Sequence, residues 1–247
     1  MRSVLVTGAG SGIGLSTTEL LMREGWHVVA VDRDATALER LSQKLSGASL
    51  TTLTLDVTDE AANSDVAARC RSLPNPLTAL VNSAGVGSNV RFADTTTEQF
   101  RRIYEINVIG AFALSQALAP VIRDNGGGSI VNIASVSGIK GNLGRSAYGA
   151  SKGAVITLTK IMAVELADDR IRVNAVAPGP IETPMVAETH TAVTREEWHR
   201  TVPMRRYGQP EEIASAISFL VDGHRSSYIT GQVLAVDGGF TAAGIMA

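Results

Sequence analysis

Tyr148-Gly149-Ala150-Ser151-Lys152 sets a phenol and an amine four residues apart, the spacing that puts both on one face of a helix. A cation held beside a phenol favours phenolate and lowers a pKa that is ordinarily about 10. Tyr148 then reads as an acid or base for work near neutral pH. A surface tyrosine lying over a lysine stem accounts for the same pair without chemistry. Ser135 stands 13 residues before Tyr148, directly after an apolar run, and its hydroxyl could hold the oxygen of a carbonyl or alcohol while Tyr148 moves the proton. Ser135 is not placed as a hydrolase nucleophile, because Ala134 and Val136 flank it and no G-x-S-x-G elbow surrounds it.

A second group of residues points to a diphosphate. Gly8-Ala9-Gly10-Ser11-Gly12-Ile13-Gly14 follows the first apolar run, and such a loop lets backbone N–H groups and the positive end of a helix approach phosphate oxygens. Its spacing is G-x-x-x-G-x-G, so the stricter G-x-G-x-x-G pattern fails, and a plain strand-to-helix turn is the alternative. Asp32 lies 18 residues beyond Gly14 at the end of the next apolar run, where a carboxylate meets the adenosine ribose of a dinucleotide. It would repel a 2′-phosphate by about 4 kcal/mol per unit charge at 4 Å, which favours NAD over NADP. The neighbouring Arg33 either faces solvent or clamps that phosphate.

These residues need a scaffold that gathers them. Short β-branched runs at 3–6, 27–31, 49–55, 77–81, 129–133, 172–175 and 232–236 read as strands. Helical periodicity fills 13–23, 35–45, 60–71, 97–121 with a break near Asn107, 148–167 and 210–220. The alternation implies an α/β fold, a parallel sheet of about seven strands with helices on both faces. Residues 1–247 read as a single dinucleotide-binding and catalytic domain. The ends of its strands carry Thr7-Gly8, Asp32, Asp56, Asn82-Ser83-Ala84-Gly85, Ala134-Ser135 and Pro178-Gly179, all along the one edge where open α/β sheets bind ligands.

On these motifs the sequence resembles the short-chain dehydrogenase/reductase family. The resemblance runs from Val4 to Phe240 and adds Asp56-Val57, Asn107, the run Arg172 to Gly179, Gly231 and Asp237-Gly238-Gly239 to the residues already named. It implies a Rossmann-type, doubly wound fold and a catalytic tetrad of Asn107, Ser135, Tyr148 and Lys152, with Ser135 and Tyr148 meeting the substrate. It further implies a nicotinamide cofactor held by Gly8, Ser11, Gly12, Ile13, Gly14, Asp32, Arg33, Asp56, Val57, Asn82, Ala84, Gly85, Tyr148, Lys152, Pro178, Gly179, Ile181 and Thr183. In that picture Asp56 and Val57 touch adenine, Ile181 and Thr183 the carboxamide, Lys152 the nicotinamide ribose, and the Asn107 backbone a relay water. The family often has Asn-Asn-Ala-Gly after the fourth strand; Ser83 replaces the second asparagine, with a modest effect expected on sheet packing.

The expected reaction is NAD-dependent interconversion of a secondary alcohol and a ketone. Two rivals stay open: an NADPH-dependent 3-oxoacyl carrier-protein reductase, and a non-catalytic dinucleotide-binding redox sensor. A substrate lid is expected near 184–208, contributing Met185, Val186, Val193, Trp198, Val202 and Met204 either to a substrate wall or to packing of the lid. Ser137 and Leu143 are further wall candidates, and Arg145 either meets a substrate carboxylate or makes an ordinary ion pair. The resemblance also implies a homotetramer joined through the long helices, Gly149 to Ala163 among them, and the apolar tail after Phe240.

Composition closes off other classes. In 247 residues, 22 basic against 24 acidic side chains leave a net charge of −2, which offers no field for nucleic acid. No apolar run approaches the roughly 18 residues that cross a bilayer, so no membrane partner is expected. A start at Met1 with Val4-Leu5-Val6 close behind leaves no room for a signal peptide, which makes the cytoplasm the expected location. The single Cys70 excludes an internal disulfide, and His27, His190, His199 and His224 show no metal-ligand spacing, so no metal is expected.

Overall fold

Val4, Leu5 and Val6 are all fully buried, as a strand covered on both faces requires, with alternate side chains entering opposite layers. They belong to β1 (Ser3–Thr7), the centre of a sheet completed by β2 (His27–Asp32), β3 (Leu50–Thr54), β4 (Leu77–Asn82), β5 (Gly128–Ile133), β6 (Ile171–Pro178) and β7 (Val233–Val236). The computed structural model describes residues 1–45, 47 and 49–244. The strand order is β3-β2-β1-β4-β5-β6-β7, and every pairing is parallel. This is the expected doubly wound sheet.

Helices α1 (Gly12–Arg23), α2 (Ala35–Lys44) and α9 (Pro210–Val221) cover one face, where Leu21, Leu38, Ile213 and Ile217 pack on Val4, Val28 and Val131. On the other, α3 (Glu60–Arg71), α5 (Ala111–Asp124) and α6 (Ser146–Glu165) bring Val66, Leu114, Leu118 and Met162 against Leu5, Leu80 and Ile130. Each such fully buried side chain contributes about 1.5–3 kcal/mol relative to exposure. From β1 the chain winds outward to β3, then returns to β4 on the other side. The strand ends therefore part between β1 and β4, and a crevice opens there.

Three local expectations need correction. First, the helix expected to break near Asn107 is continuous: α4 (Thr97–Tyr104) passes through a π-helical turn (Glu105–Gly110) into α5, giving one helix over Thr97–Asp124. The extra residue of a π turn re-aims side chains without ending the helix. This helix is long and apolar enough to cross a membrane by length and composition, a feature the sequence reading missed. Its buried face lies in the core through Leu114, Leu118, Val121 and Ile122. Second, β6 runs on to Pro178, since a proline costs least where a strand ends. Third, the lid has structure of its own, α7 (Pro184–Thr189) and α8 (Ala192–Thr201), each opened by a threonine whose hydroxyl accepts an N–H of the first turn.

Candidate active site

The crevice is a cavity of about 320 Å³ along the carboxyl ends of the strands. At its β1 end, Gly14 sits where an added Cβ would lie 2.1 Å from the Gly8 carbonyl oxygen, so only glycine lets α1 pack so tightly against the turn. Ser11 opens α1 without a side-chain cap, and no acidic residue occupies the first turn. The free N–H groups there, and the positive helix end, suit a diphosphate. Asp32 accepts from Gly10 N–H at 2.9 Å and Asp34 N–H at 3.0 Å. Each carboxylate oxygen keeps a further acceptor site, enough for two ribose hydroxyls. Asp56 accepts from the Thr58 N–H and hydroxyl, bonds that hold its carboxyl below the usual range, with the Arg33 charge helping.

Further along, β5 ends at Ile133 and delivers Ser135 in extended backbone at the head of a short 3-10 turn, Val136–Gly138. Gly138 lies so close to α6 that a Cβ would come 2.6 Å from the Lys152 carbonyl carbon. That contact presses the Ser135 loop onto the helix that carries Tyr148 and Lys152. Lys152 is 5% exposed and donates to the Ile133 carbonyl at 2.7 Å. Burial lowers its pKa to about 8.

The cause proposed for an acidic phenol is corrected by this geometry. Lys152 Nζ is 5.8 Å from the Tyr148 ring centroid and spends its bond on Ile133. Burial raises the Tyr148 pKa, and the groups that oppose the rise are the Ser135 hydroxyl and the Arg145 guanidinium.

Asn107 is buried in the π turn, its Oδ1 accepting from Val86 N–H at 2.8 Å while Nδ2 donates to the Val86 carbonyl and Ser151 Oγ. Ser151 Oγ in turn donates to the Tyr148 carbonyl at 2.7 Å. The Asn107 side chain thus fixes the floor under Tyr148 and does not itself line the cavity.

Gly8, Ser11, Gly12, Ile13, Gly14, Asp32, Arg33, Asp56, Val57, Ala84 and Gly85 line the cavity as expected, as do Ser135, Tyr148, Lys152, Pro178, Gly179, Ile181 and Thr183. Asn82 is not among the lining residues. Its amide donates to Ser115 Oγ at 2.9 Å and Asn132 Oδ1 at 2.8 Å, tying β4 to β5 and α5 inside the core. Conversely Ser83, expected to affect only packing, faces the cavity. Thr7, which the sequence puts at the ligand edge without a role, accepts through Oγ1 from the N–H groups of Ser83 and Ala84 beside that wall. The apolar linings Val31, Leu55, Val86 and Ile106 were missed, because an aliphatic residue at a strand end carries no mark that separates cavity from core.

Of the lid residues, Met185 and Val186 line the cavity, whereas Val193 and Met204 are exposed. Trp198 and Val202 instead pack on Phe240, with the Trp198 and Phe240 rings 4.9 Å apart. Leu143 is exposed, and Ser137 accepts from Asn142, so neither forms a wall.

A family model described as enoyl-(acyl carrier protein) reductase matches residues 8–241. The 3-oxoacyl-acyl-carrier-protein reductase FabG of Thermotoga maritima is 40% identical over 237 residues, covering 95% of this chain and 96% of its own. The chain belongs to the short-chain dehydrogenase/reductase family. This short-chain dehydrogenase/reductase is also 41% identical over 239 residues to galactitol 2-dehydrogenase (L-tagatose-forming) of Cereibacter sphaeroides, covering 96% of this chain and 93% of that one. Among solved structures, that of ElxO with NADP bound superposes with a TM-score of 0.91 at 30% identity, covering 98% of this chain and 99% of the other. As a short-chain dehydrogenase/reductase the chain is an oxidoreductase of alcohols and carbonyls that uses a nicotinamide dinucleotide.

Proposed function

We propose that the protein is an NAD-dependent oxidoreductase that interconverts a secondary alcohol and a ketone, residues 1–247 forming one dinucleotide-binding and catalytic domain with a lid near 184–208. The observation that carries this reading is that Ser135, Tyr148 and Lys152 share one cavity with Asp32 and the uncapped start of α1. When bound, the nicotinamide supplies a hydride acceptor for the carbinol carbon or, in its reduced form, a hydride donor for the carbonyl carbon.

Tyr148 takes the hydroxyl proton in oxidation and returns it in reduction. Ser135, whose Oγ accepts the Ser137 N–H and whose hydroxyl also bears on the Tyr148 phenol, is placed to donate to the substrate oxygen. Lys152, fixed by Ile133, holds a positive charge in a buried setting and has donors left for a ribose hydroxyl. Asp32 takes the adenosine ribose and repels a 2′-phosphate.

One observation favours a second reading: Arg33 lines the cavity beside Asp32 and could pair with that phosphate, as an NADPH-dependent 3-oxoacyl carrier-protein reductase requires. Measuring kcat/KM with both dinucleotides decides, NAD being expected ahead by tenfold or more. A clear NADP preference reverses the choice. A redox sensor without catalysis would turn over no member of a broad alcohol panel.

The reading keeps a cytoplasmic homotetramer. Cys70 is a buried free thiol, compatible with a reducing compartment. Ile109 and Phe112 on the long helix, Ile161 and Val164 on α6, and Tyr228 near the C-terminal end are large apolar side chains left exposed, as subunit contacts need. Phe240 is buried under the lid; of the tail, Ile245 to Ala247 lie outside the described residues.

A further inference from the structure

Arg145 stands three residues before Tyr148, with its guanidinium carbon 5.5 Å from the Tyr148 ring centroid. Lys152 Nζ is 5.8 Å from the same centroid, so the ring lies near two cations. Arg145 is half-buried, and no carboxylate among the described residues lies within 4.0 Å of it. Burial works against the guanidinium charge, and the groups that favour it are the phenols of Tyr148 and Tyr207. An uncompensated, partly desolvated cation costs stability, and a purely structural tie at this place could be made by a neutral amide.

The fold nevertheless spends several lid residues on aiming it. Arg145 Nη1 donates to the Ser88 carbonyl and Nη2 to His190 Nε2, both at 2.9 Å. His190 can accept because it is neutral: burial and the nearby Arg145 and Arg195 charges lower its pKa to about 4. Its Nδ1–H then donates to Tyr207 Oη at 2.9 Å. Arg195, paired with Glu182, covers the Tyr207 ring. A guanidinium has five N–H donors, and among the described residues two make bonds.

We propose that Arg145 binds a carboxylate of the substrate, so that the alcohol oxidised is a short hydroxy acid with its carboxylate one or two carbons from the carbinol. This rests on the alcohol–ketone reading above. The carbinol carbon gives up hydride, with its electron pair, to the oxidised dinucleotide, and the hydroxyl proton passes to Tyr148. The product is the oxo acid, and the carboxylate is unchanged. The short distance from guanidinium to phenol sets the chain length, and the planar donor fork suits a carboxylate.

The test compares kcat/KM for 2- and 3-hydroxy acids of four to six carbons with their methyl esters, in the wild type, Arg145→Gln and Arg145→Lys. The expected wild type prefers acid over ester by about 30-fold or more, in line with a charge-assisted hydrogen bond. Arg145→Gln should abolish that preference, mostly through KM, with a loss at least tenfold larger for acids than for esters, and Arg145→Lys should retain part of it. Equal losses for acid and ester, or a wild type that favours the ester, overturn the proposal and leave Arg145 a lid-positioning residue. If Arg145→Gln does not fold, the ratio in the wild type and Arg145→Lys decides. Turnover of neutral alcohols but of no hydroxy acid sinks this proposal alone; no turnover of any alcohol with either dinucleotide sinks the alcohol–ketone reading with it.

Discussion

Between Gly8 and Thr58 the cavity is shaped by backbone: a turn that tolerates no Cβ at Gly14, an uncapped helix start, and carboxylates held by N–H groups two residues further on. Between Arg145 and Tyr207 the surroundings of Tyr148 are built by side chains, where Arg145, His190 and Tyr207 meet across 45 and 17 residues of sequence. The first region offers what a dinucleotide always presents, phosphates and ribose hydroxyls. The second is a set of exchangeable side chains on short helices, so it can be altered without disturbing the sheet. The proposed chemistry lies between the two, at Ser135, Tyr148 and Lys152.

Substitutions should separate these regions. Tyr148→Phe is expected to lower kcat/KM by about 10³-fold or more while the dinucleotide Kd changes little; steady-state kinetics with fluorescence titration checks both, and a weakly affected rate would remove Tyr148 as the proton carrier. Gly14→Ala should break the backbone-built end, since its Cβ would meet the Gly8 carbonyl oxygen. About 1–3 kcal/mol of stability and most dinucleotide affinity should go, read by chemical denaturation and titration. A smaller effect is expected at Asp32→Ala, which should lose about tenfold in NAD affinity and narrow the preference over NADP.

The smallest expected effects are those of pH. Ser135→Ala removes one of the groups that oppose the rise in the Tyr148 pKa, so the ascending limb of the oxidation pH profile, where Tyr148 must be the free base, should move to higher pH. At the lid, His190 has a folded pKa of about 4 against 6.5 in the unfolded chain. Below pH 6.5 the unfolded chain takes up a proton that the folded one refuses, so the stability contributed by neutral His190 is full above about 6.5 and is lost as pH falls towards 4. Limited proteolysis of the segment 184–208 at pH 7 and pH 5 should show faster cutting at the lower pH, and His190→Phe should flatten the difference.

The residues that announced themselves in the sequence are those whose task depends on type and near spacing. Tyr148 with Lys152, Ser135, the glycine loop and Asp32 all line the one cavity. What the Asn82 side chain does was not legible, because a strand's last residue turns to either face, and only the register Asn82↔Asn132 shows that its amide ties into the core. The π turn at Asn107 was misread as a break because one inserted residue disturbs the 3.6-residue period much as a helix end does.

The amino-acid sequence by itself determined the alternation of the sheet and its helices, the edge where the candidate residues gather and which side chains are candidates for handling a proton, because strand periodicity, glycine requirements and i, i+4 spacing are local properties of a chain. Only the tertiary structure decided how those groups are tuned. Burial raises the Tyr148 phenol and lowers the Lys152 amine, Ile133 takes the lysine's bond, and Arg145 stands over the phenol with no carboxylate beside it among the described residues. Such tuning comes from desolvation and from charges brought close by folding, which no spacing along the chain encodes.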